Sequence, residues 1–360
     1  MKKARIGVIG VGWWGTVGHL AHLAEDPKAE VVAVWSRTEE KAKARAARYG
    51  VPKAFTDYRE MVDTCGLDGV VIASTPNMHD EQARYALEHG LHVLMEKPFV
   101  LQAEQARSLH RLARENELLL SVCHPLLYRS GMTAARQAVL GGDIGDPVVL
   151  SAVFAQRVYE LYAGRLPAVF QRPDAMPSPN HQSYADPQVA GGGQGHTQAS
   201  HIVGALLWLT GLRPAEVFAF MNHRDLDLDV VDAMTLRFDG GALGTVVANG
   251  LVARSTRSMG VEVQGEKGIL AVDVAQGTAV LYTKAQKEPL RFGGDAPEDR
   301  ENVAAVPRNF VRTILGETDL HVGPEVAVRE VEVLDAAYRS AASGQAVRIA
   351  PDAQGREKTG

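Results

Sequence analysis

The sequence predicts an α/β chain of two domains: a parallel sheet flanked by helices, then an α+β region with a mostly antiparallel sheet. Three observations predict it. Strand-like and helix-like runs alternate through the first third of the chain. A glycine cluster, Gly10 to Gly15, directly follows the first apolar run. Beyond about residue 125 the alternation stops, and short strand-like runs follow one another between turn residues.

The elements follow in order. Arg5 to Ile9 is a short apolar strand ending in glycines, and Val17 to Ala24 has helical spacing. Glu30 to Trp35 is a β-branched strand and Glu39 to Tyr49 a helix. Gly69 to Ala73 and His92 to Met95 are apolar strands around a helix at Asp80 to His89. Gln102 to Asn116 is a long helix and Leu118 to Cys123 the last strand of the first domain. In the second domain, Ser130 to Leu140 is a helix and Val148 to Phe154 a strand. Residues 163 to 195 hold five prolines and a Gly191-Gly192-Gly193 run, the mark of a long functional or disordered connection. Gln198 to Leu209 is helical. Strands are expected at Glu216 to Met221, Ala233 to Phe238, Leu243 to Ala248, Gly260 to Val263 and Ile269 to Val272. Asp239-Gly240-Gly241 and Gly265 to Gly268 read as hairpin turns. Helices at Val303 to Leu315 and Pro324 to Ala342 close the fold. The domains are expected at 1–124 and 125–350, with a frayed polar tail over 351–360.

Size and charge narrow the function. A length of 360 residues suits two domains that each bury a core. The net charge of -5 is small, and no Lys/Arg block points to nucleic acid. Two cysteines, Cys65 and Cys123, make no disulfide framework and suit a reducing compartment. The N-terminal apolar run is too short for a signal segment or a membrane span. A cytoplasmic protein with no membrane or nucleic-acid partner is expected.

Gly10-Val11-Gly12-Trp13-Trp14-Gly15 fits G-x-G-x-x-G between a strand and a helix, the context that gives this motif its meaning. Gly10 permits the tight turn, Gly12 admits the pyrophosphate, and Gly15 lets helix and strand pack closely. The helix N-terminus offers N–H groups and a positive dipole end to phosphate. Trp13 and Trp14, at the variable positions, either cover the dinucleotide or pack on the domain. NAD enzymes place an acid about 20 residues on, to bond the ribose hydroxyl. Here the second strand ends in Trp35-Ser36-Arg37-Thr38, without one. Ser36 and Arg37 suit a 2′-phosphate, so NADP is preferred over NAD. Ser36 and Glu39 also have capping-box spacing for the next helix.

Met95-Glu96-Lys97-Pro98 adds a more specific signal. With the fingerprint, Thr75-Pro76-Asn77 and His79, the Gly191 to His201 segment and the ending Ala336 to Ala341 with Gly344, the chain resembles the Gfo/Idh/MocA family over nearly its whole length. The resemblance implies a Rossmann domain plus an α+β domain with a large open sheet. It implies a homodimer or homotetramer through that sheet, and a small-molecule sugar or polyol substrate. It assigns Thr75, Pro76, Asn77, His79, Glu96 and Lys97 to the dinucleotide site. Lys97 matches the family's active-site lysine, whose ammonium stabilises alkoxide as hydride leaves. His201 matches the histidine of an Asp-x-Gly-x-His pattern and can take the hydroxyl proton.

Here the pattern is broken: Thr197 replaces the aspartate and Ala199 the glycine. Thr197 and His201, four apart, share a helix face, but a threonine brings no charge to an imidazolium. His196 is a candidate replacement if it lies in the loop before the helix; on a continuous helix it sits about 140° from His201. That spacing also argues against a two-histidine metal site, and no metal is expected. His124, after the last Rossmann strand, is a substrate candidate because ligands gather at strand carboxyl ends. Cys123 should face the opposite way and not pair with it. Arg172 and Gln194 are further substrate candidates, and Arg165, His181 and Tyr184 lie in the same proline-rich stretch. The expected reaction is hydride transfer between NAD(P) and a sugar or polyol carbon bearing a hydroxyl. Two alternatives are an NAD-dependent glycoside hydrolase, acting by transient oxidation and elimination, and a non-catalytic dinucleotide or sugar sensor.

Overall fold

The structure is a computed structural model that describes residues 2–167, 177–252, 258–294 and 302–351. Six strands form the first sheet: β1 Ala4–Ile9, β2 Ala29–Trp35, β3 Lys53–Phe55, β4 Gly69–Ile72, β5 His92–Met95 and β6 Leu120–Val122. Their order is β3-β2-β1-β4-β5-β6, and every pair is parallel. That is the Rossmann order, with its switch point between β1 and β4. Helices cover both faces, so central strands such as β4 are buried at every residue and read as unbroken apolar runs. Helix Ala103–Glu115 buries the stripe Ala103, Ala106, Leu109 and Ala113, at helical spacing, against this layer.

Nine strands form the second sheet: β7 Pro147–Ala155, β8 Pro214–Asn222, β9 Val231–Phe238, β10 Leu243–Asn249, β11 Ser258–Gly265, β12 Gly268–Asp273, β13 Thr278–Thr283, β14 Leu290–Phe292 and β15 Val347–Arg348. The order is β14-β13-β12-β11-β7-β10-β9-β8-β15. Among the described strands of this second sheet, only β7 and β10 pair in parallel. Residues alternate in and out: Asp232, Met234, Leu236 and Phe238 of β9 point to the core. Helices Ser130–Leu140, Ser200–Thr210 and Pro324–Ser343 pack on that inner face. Gly240 and Gly241 take positive φ in the β9–β10 turn, which only glycine adopts without strain.

Two late helices tie the layers together. Val306, Phe310 and Val311 of helix Asn302–Ile314 join the first sheet's core beside Ile6, Val8 and Leu20. Helix Pro324–Ser343 packs Ala327, Val328 and Val331 toward the first core and Val333, Leu334 and Ala337 toward the second. Its end is capped by Gly344 at φ 65°, whose N–H donates to the Ser340 oxygen.

Several elements depart from the sequence reading. The first helix opens with a π-helical segment, Gly15–Leu20, before the α-helix Ala21–Glu25. Helix Glu39–Tyr49 starts from Thr38, so Ser36 and Glu39 form no capping box there; the Ser36 hydroxyl meets only the Thr38 N–H, at 3.5 Å. Strands β3, β13, β14 and β15 and helix Tyr58–Thr64 were not expected. A short helix, Tyr159–Tyr162, precedes the proline-rich stretch, whose described residues include two more, His181–Ala185 and Pro187–Ala190. No helix among the described residues is long and apolar enough to cross a membrane.

Candidate active site

The carboxyl ends of β1, β4, β5 and β6 open onto a cavity of about 520 Å³. Gly10, at φ 98°, runs so close to the next loop that a Cβ would lie 2.5 Å from Ala73 and Ser74 main-chain atoms. A Cβ on Gly15 would lie 1.9 Å from the Gly10 oxygen. Nothing lies within 4 Å of a Cβ placed on Gly12, which lines the cavity. Open space there, at the start of a helix, fits a pyrophosphate. Ser36, Arg37 and Lys41 line the cavity at the end of β2.

Lys97 follows β5, and its peptide to Pro98 is cis. Its Nζ donates to the Thr197 main-chain oxygen at 2.7 Å. Thr197 belongs to a second π-helical segment, Gly195–Ala199, that leads into helix Ser200–Thr210. Such segments shift side chains relative to an α-helix and recur at functional sites. Lys97, Thr197 and His201 all line the cavity, and the His201 ring stacks over Phe154 at 6.3 Å. The Thr197 hydroxyl donates to the Gly193 oxygen at 2.7 Å and bonds the buried Tyr162 hydroxyl.

Glu96 is buried beside the lysine. Burial alone would raise its carboxyl, but bonds from His19 and Cys123 and the Lys97 charge hold it below the usual carboxylate range. His19, Glu96 and Cys123 also bring three metal-ligand-type atoms within 4.8 Å. Glu96 Oε1 there accepts N–H bonds from both His19 and Trp14 at 2.7 Å, while the buried His19 Nδ1 has no hydrogen-bond partner among the described residues.

Two family descriptions match this chain. The oxidoreductase family with an NAD-binding Rossmann fold, GFO_IDH_MocA, matches residues 4–124, and the GFO/IDH/MocA C-terminal domain matches residues 132–271. The chain belongs to the Gfo/Idh/MocA oxidoreductase family. Within it, the dTDP-3,4-didehydro-2,6-dideoxy-alpha-D-glucose 3-reductase of Streptomyces violaceoruber is 36% identical over 154 residues, 43% of this chain. That match spans less than half of the reductase's length, 45%. The D-xylose 1-dehydrogenase (NADP(+)) 2 of Haloferax volcanii is 25% identical over 353 residues, 96% of this chain and 98% of that enzyme. An oxidoreductase domain protein from Kribbella flavida superposes with a TM-score of 0.84 at 21% identity, covering 98% of this chain and 100% of that one.

In this Gfo/Idh/MocA chain the expected site residues divide into two groups. Gly10, Gly12, Trp13, Trp14, Ser36, Arg37, Thr75, Pro76, Glu96, Lys97, Thr197 and His201 line the cavity. Five others do not. Gly15 is buried beneath the Gly10 turn. Asn77 is exposed and accepts a bond from the Thr75 hydroxyl at 2.7 Å. His79 is buried and donates from Nδ1 to the Pro98 oxygen at 2.9 Å, which makes it a brace beneath the Lys97 turn. Gln194 is buried beside Tyr162, its Oε1 3.2 Å from the Tyr162 hydroxyl. His196 stacks on Tyr338 at 4.6 Å, where burial pushes its imidazole down to about 4. It therefore replaces nothing at His201.

His124 is buried and does not line the cavity. It lies 3.4 Å from Glu330, and burial pushes it down to about 4. Cys123 faces the cavity instead, as opposite faces of the strand require. Arg172 lies outside the described residues. Arg165 packs over the Tyr159 ring. His181 does not line the cavity, whereas Tyr184 does, and burial with the Glu96 charge pushes its hydroxyl up to about 12. Sequence reasoning missed Lys41, Arg129, Gln156, Asn180, Ser183 and Gln198, which also line the cavity. Only Lys41 carried a signal: four residues beyond Arg37, it opens the helix after β2.

Proposed function

We propose that this chain transfers a hydride between NAD(P) and a hydroxyl-bearing carbon of a sugar, polyol or sugar derivative, with NADP preferred. The observation that carries the reading is the bond from Lys97 Nζ to the Thr197 oxygen. It brings the lysine of one sheet and His201 of the other layer into the cavity that begins at the glycine fingerprint. When bound, the dinucleotide supplies a hydride acceptor or donor at its nicotinamide. Gly10, Gly12 and the helix start at Gly15 hold its pyrophosphate, and Ser36, Arg37 and Lys41 hold a 2′-phosphate.

Lys97 places an ammonium against the substrate oxygen and stabilises negative charge as it develops there. His201 takes the hydroxyl proton in oxidation and returns it in reduction, help worth ~10²–10⁴-fold. Gln156, Asn180, Ser183 and Gln198 offer uncharged hydrogen-bonding groups, which suit hydroxyl-rich substrates. The names of two relatives, a sugar dehydrogenase and a sugar-nucleotide reductase, support the same chemistry in both directions. His196 lies outside the cavity and lends no support to an elimination mechanism.

The outer face of the second sheet supports a homo-oligomer. Val149 and Leu243 are cross-strand neighbours, as are Val153 and Val247; all four are at least 40% exposed, and Phe220 is 69% exposed. An apolar patch of this kind fits a second copy. Cys65 and Cys123 are buried free thiols, which fits a reducing cytoplasm.

The test is a screen of sugars, polyols and glycosides with NAD and NADP on protein purified without dinucleotide. Net reduction of cofactor with an oxidised product is the expected result, larger with NADP. Glycoside cleavage that needs cofactor but gives no net reduction would replace this reading with oxidative elimination.

A further inference from the structure

Trp14 occupies a variable position of the glycine fingerprint, where pyrophosphate binding requires no indole. Its Nε1–H donates to Glu96 Oε1 at 2.7 Å. His19, further along the same helical run, bonds the same oxygen from Nε2, also at 2.7 Å. Glu96 Oε2 accepts the main-chain N–H of Lys97 at 3.2 Å. The carboxylate is 6% exposed, so a lost donor is not cheaply replaced by water. Gly18 makes room for the ring: a Cβ there would lie 2.9 Å from Trp14 Nε1. Trp13 packs edge-on against Trp14 at 5.4 Å, and both rings line the cavity.

The carboxylate next to Lys97 therefore hangs from the helix that receives the dinucleotide. Trp13 lines the cavity with Gly12 and touches Trp14, and Trp14 bonds Glu96. We propose that Trp14 is a positioning residue whose bond to Glu96 couples the setting of Lys97 to occupancy by the dinucleotide. The inference rests on the hydride-transfer reading above. Ordinary packing of an aromatic ring would need only its shape; the coupling needs its N–H.

Trp14→Phe keeps a ring and removes the donor. Three measurements read the result: calorimetry with NADP, steady-state kinetics on the best substrate of the screen, and the indole N–H signals of the four tryptophans in ¹⁵N spectra. In the wild-type chain the Trp14 signal should move on saturation with NADP and be displaced in Glu96→Gln. Trp14→Phe should bind NADP within about twofold of wild type, with kcat down about tenfold at unchanged KM, the loss of one charge-assisted bond. Combined with Glu96→Gln it should cost nothing more. A Trp14 signal indifferent to NADP would overturn the coupling, as would losses from the two substitutions that simply multiply. Should Trp14→Phe fail to fold, the wild-type indole titration still decides. Failure of the wild-type chain to bind either dinucleotide would remove the hydride-transfer reading itself, and this inference with it.

Discussion

Lys97 Nζ is held by the main-chain oxygen of Thr197, 2.7 Å away and 100 residues along the chain. A main-chain acceptor fixes the ammonium without neutralising it, which is what a group stabilising a developing alkoxide needs. Lys97→Met should lower kcat by about 10²–10⁴-fold and change the NADP dissociation constant by no more than about threefold. Turnover assays and calorimetry on the same preparation check this. A parallel collapse of NADP binding would assign Lys97 to the dinucleotide alone.

The same bond predicts a mild phenotype for the side chain that departs from the family pattern. Thr197→Val keeps the carbonyl and the shape but removes the hydroxyl that bonds Gly193 and Tyr162. Stability should fall by about 1–3 kcal/mol, the worth of two lost hydrogen bonds, the Gly193 oxygen keeping the Thr197 N–H at 3.0 Å and the Tyr162 hydroxyl keeping Gln194 at 3.2 Å. Turnover should stay within about tenfold of wild type. Urea denaturation and kcat read the two effects separately; a loss of turnover as large as that of Lys97→Met would show that the hydroxyl itself takes part in the chemistry.

The proposed preference for NADP rests on the end of β2. Ser36, Arg37 and Lys41 line the cavity there, and no acidic residue of the Trp35 to Thr38 stretch competes for a ribose hydroxyl. Arg37→Ala should weaken NADP binding by roughly tenfold to a hundredfold, the worth of one charge-assisted contact, and leave NAD within about twofold. Calorimetry with both dinucleotides measures it, and equal losses for the two would place Arg37 away from the 2′-phosphate.

Much of this site was legible because local chemistry announces it. A glycine run after an apolar strand has few other uses, and Lys97 sits in a four-residue motif that a family shares. Side-chain direction was not legible. His124, Gln194 and His196 all lie close to the site in sequence, yet Glu330, Tyr162 and Tyr338 draw them to the buried side. Those three partners come from distant parts of the chain, where no spacing rule reaches. The π-helical segments at Gly15 and Gly195 also defeat reckoning at 100° per residue. Strand β13 was missed although Ala279 and Leu281 alternate inward, because Tyr282 and Val280 blur the period.

The His124–Glu330 contact gives a pH signature. Both side chains are buried, and neither Glu330 oxygen has a hydrogen-bond partner among the described residues. Burial therefore keeps Glu330 well above the usual carboxyl range, the nearby Lys97 charge offsetting only part of it, and keeps His124 neutral down to about 4. Between the unfolded carboxyl value and the raised folded one, the folded chain holds the Glu330 proton and the unfolded chain releases it. This contribution is present below the unfolded carboxyl value and is lost as pH rises toward the folded one. A glutamine side chain does not titrate, so the stability of Glu330→Gln relative to wild type should climb with pH, by at most about 1.4 kcal/mol per unit. Urea denaturation between roughly pH 5 and pH 8 reads the slope. A charged His124–Glu330 pair would give the reverse sign, with Glu330→Gln losing stability at neutral pH.

Asp229 holds the turn from which the π-helical segment Gly195–Ala199 starts. Its Oδ1 accepts the Gly193 N–H at 2.7 Å and the Tyr338 hydroxyl at 2.8 Å, and its Oδ2 accepts the Gly195 N–H at 2.7 Å. The chain approaches so closely that a Cβ on Gly193 would lie 1.9 Å from the Asp229 main-chain oxygen. A negative charge at the start of a helix is also favoured by the dipole. Asp229→Asn keeps the shape but turns an amide N–H₂ against one of the two glycine N–H groups. One buried donor is then unpaired and faces another donor, at a cost of about 3 kcal/mol. Because the turn carries Thr197, and Thr197 holds Lys97, kcat should fall together with stability while NADP affinity, set at the other end of the cavity, holds. Gly193→Ala should cost at least as much by a different route, main-chain displacement, and should show the same pairing of lost stability with lost turnover. Denaturation curves, kcat and NADP titrations on both variants measure this; an Asp229→Asn chain as stable and as fast as wild type would mean that the carboxylate does not hold the turn.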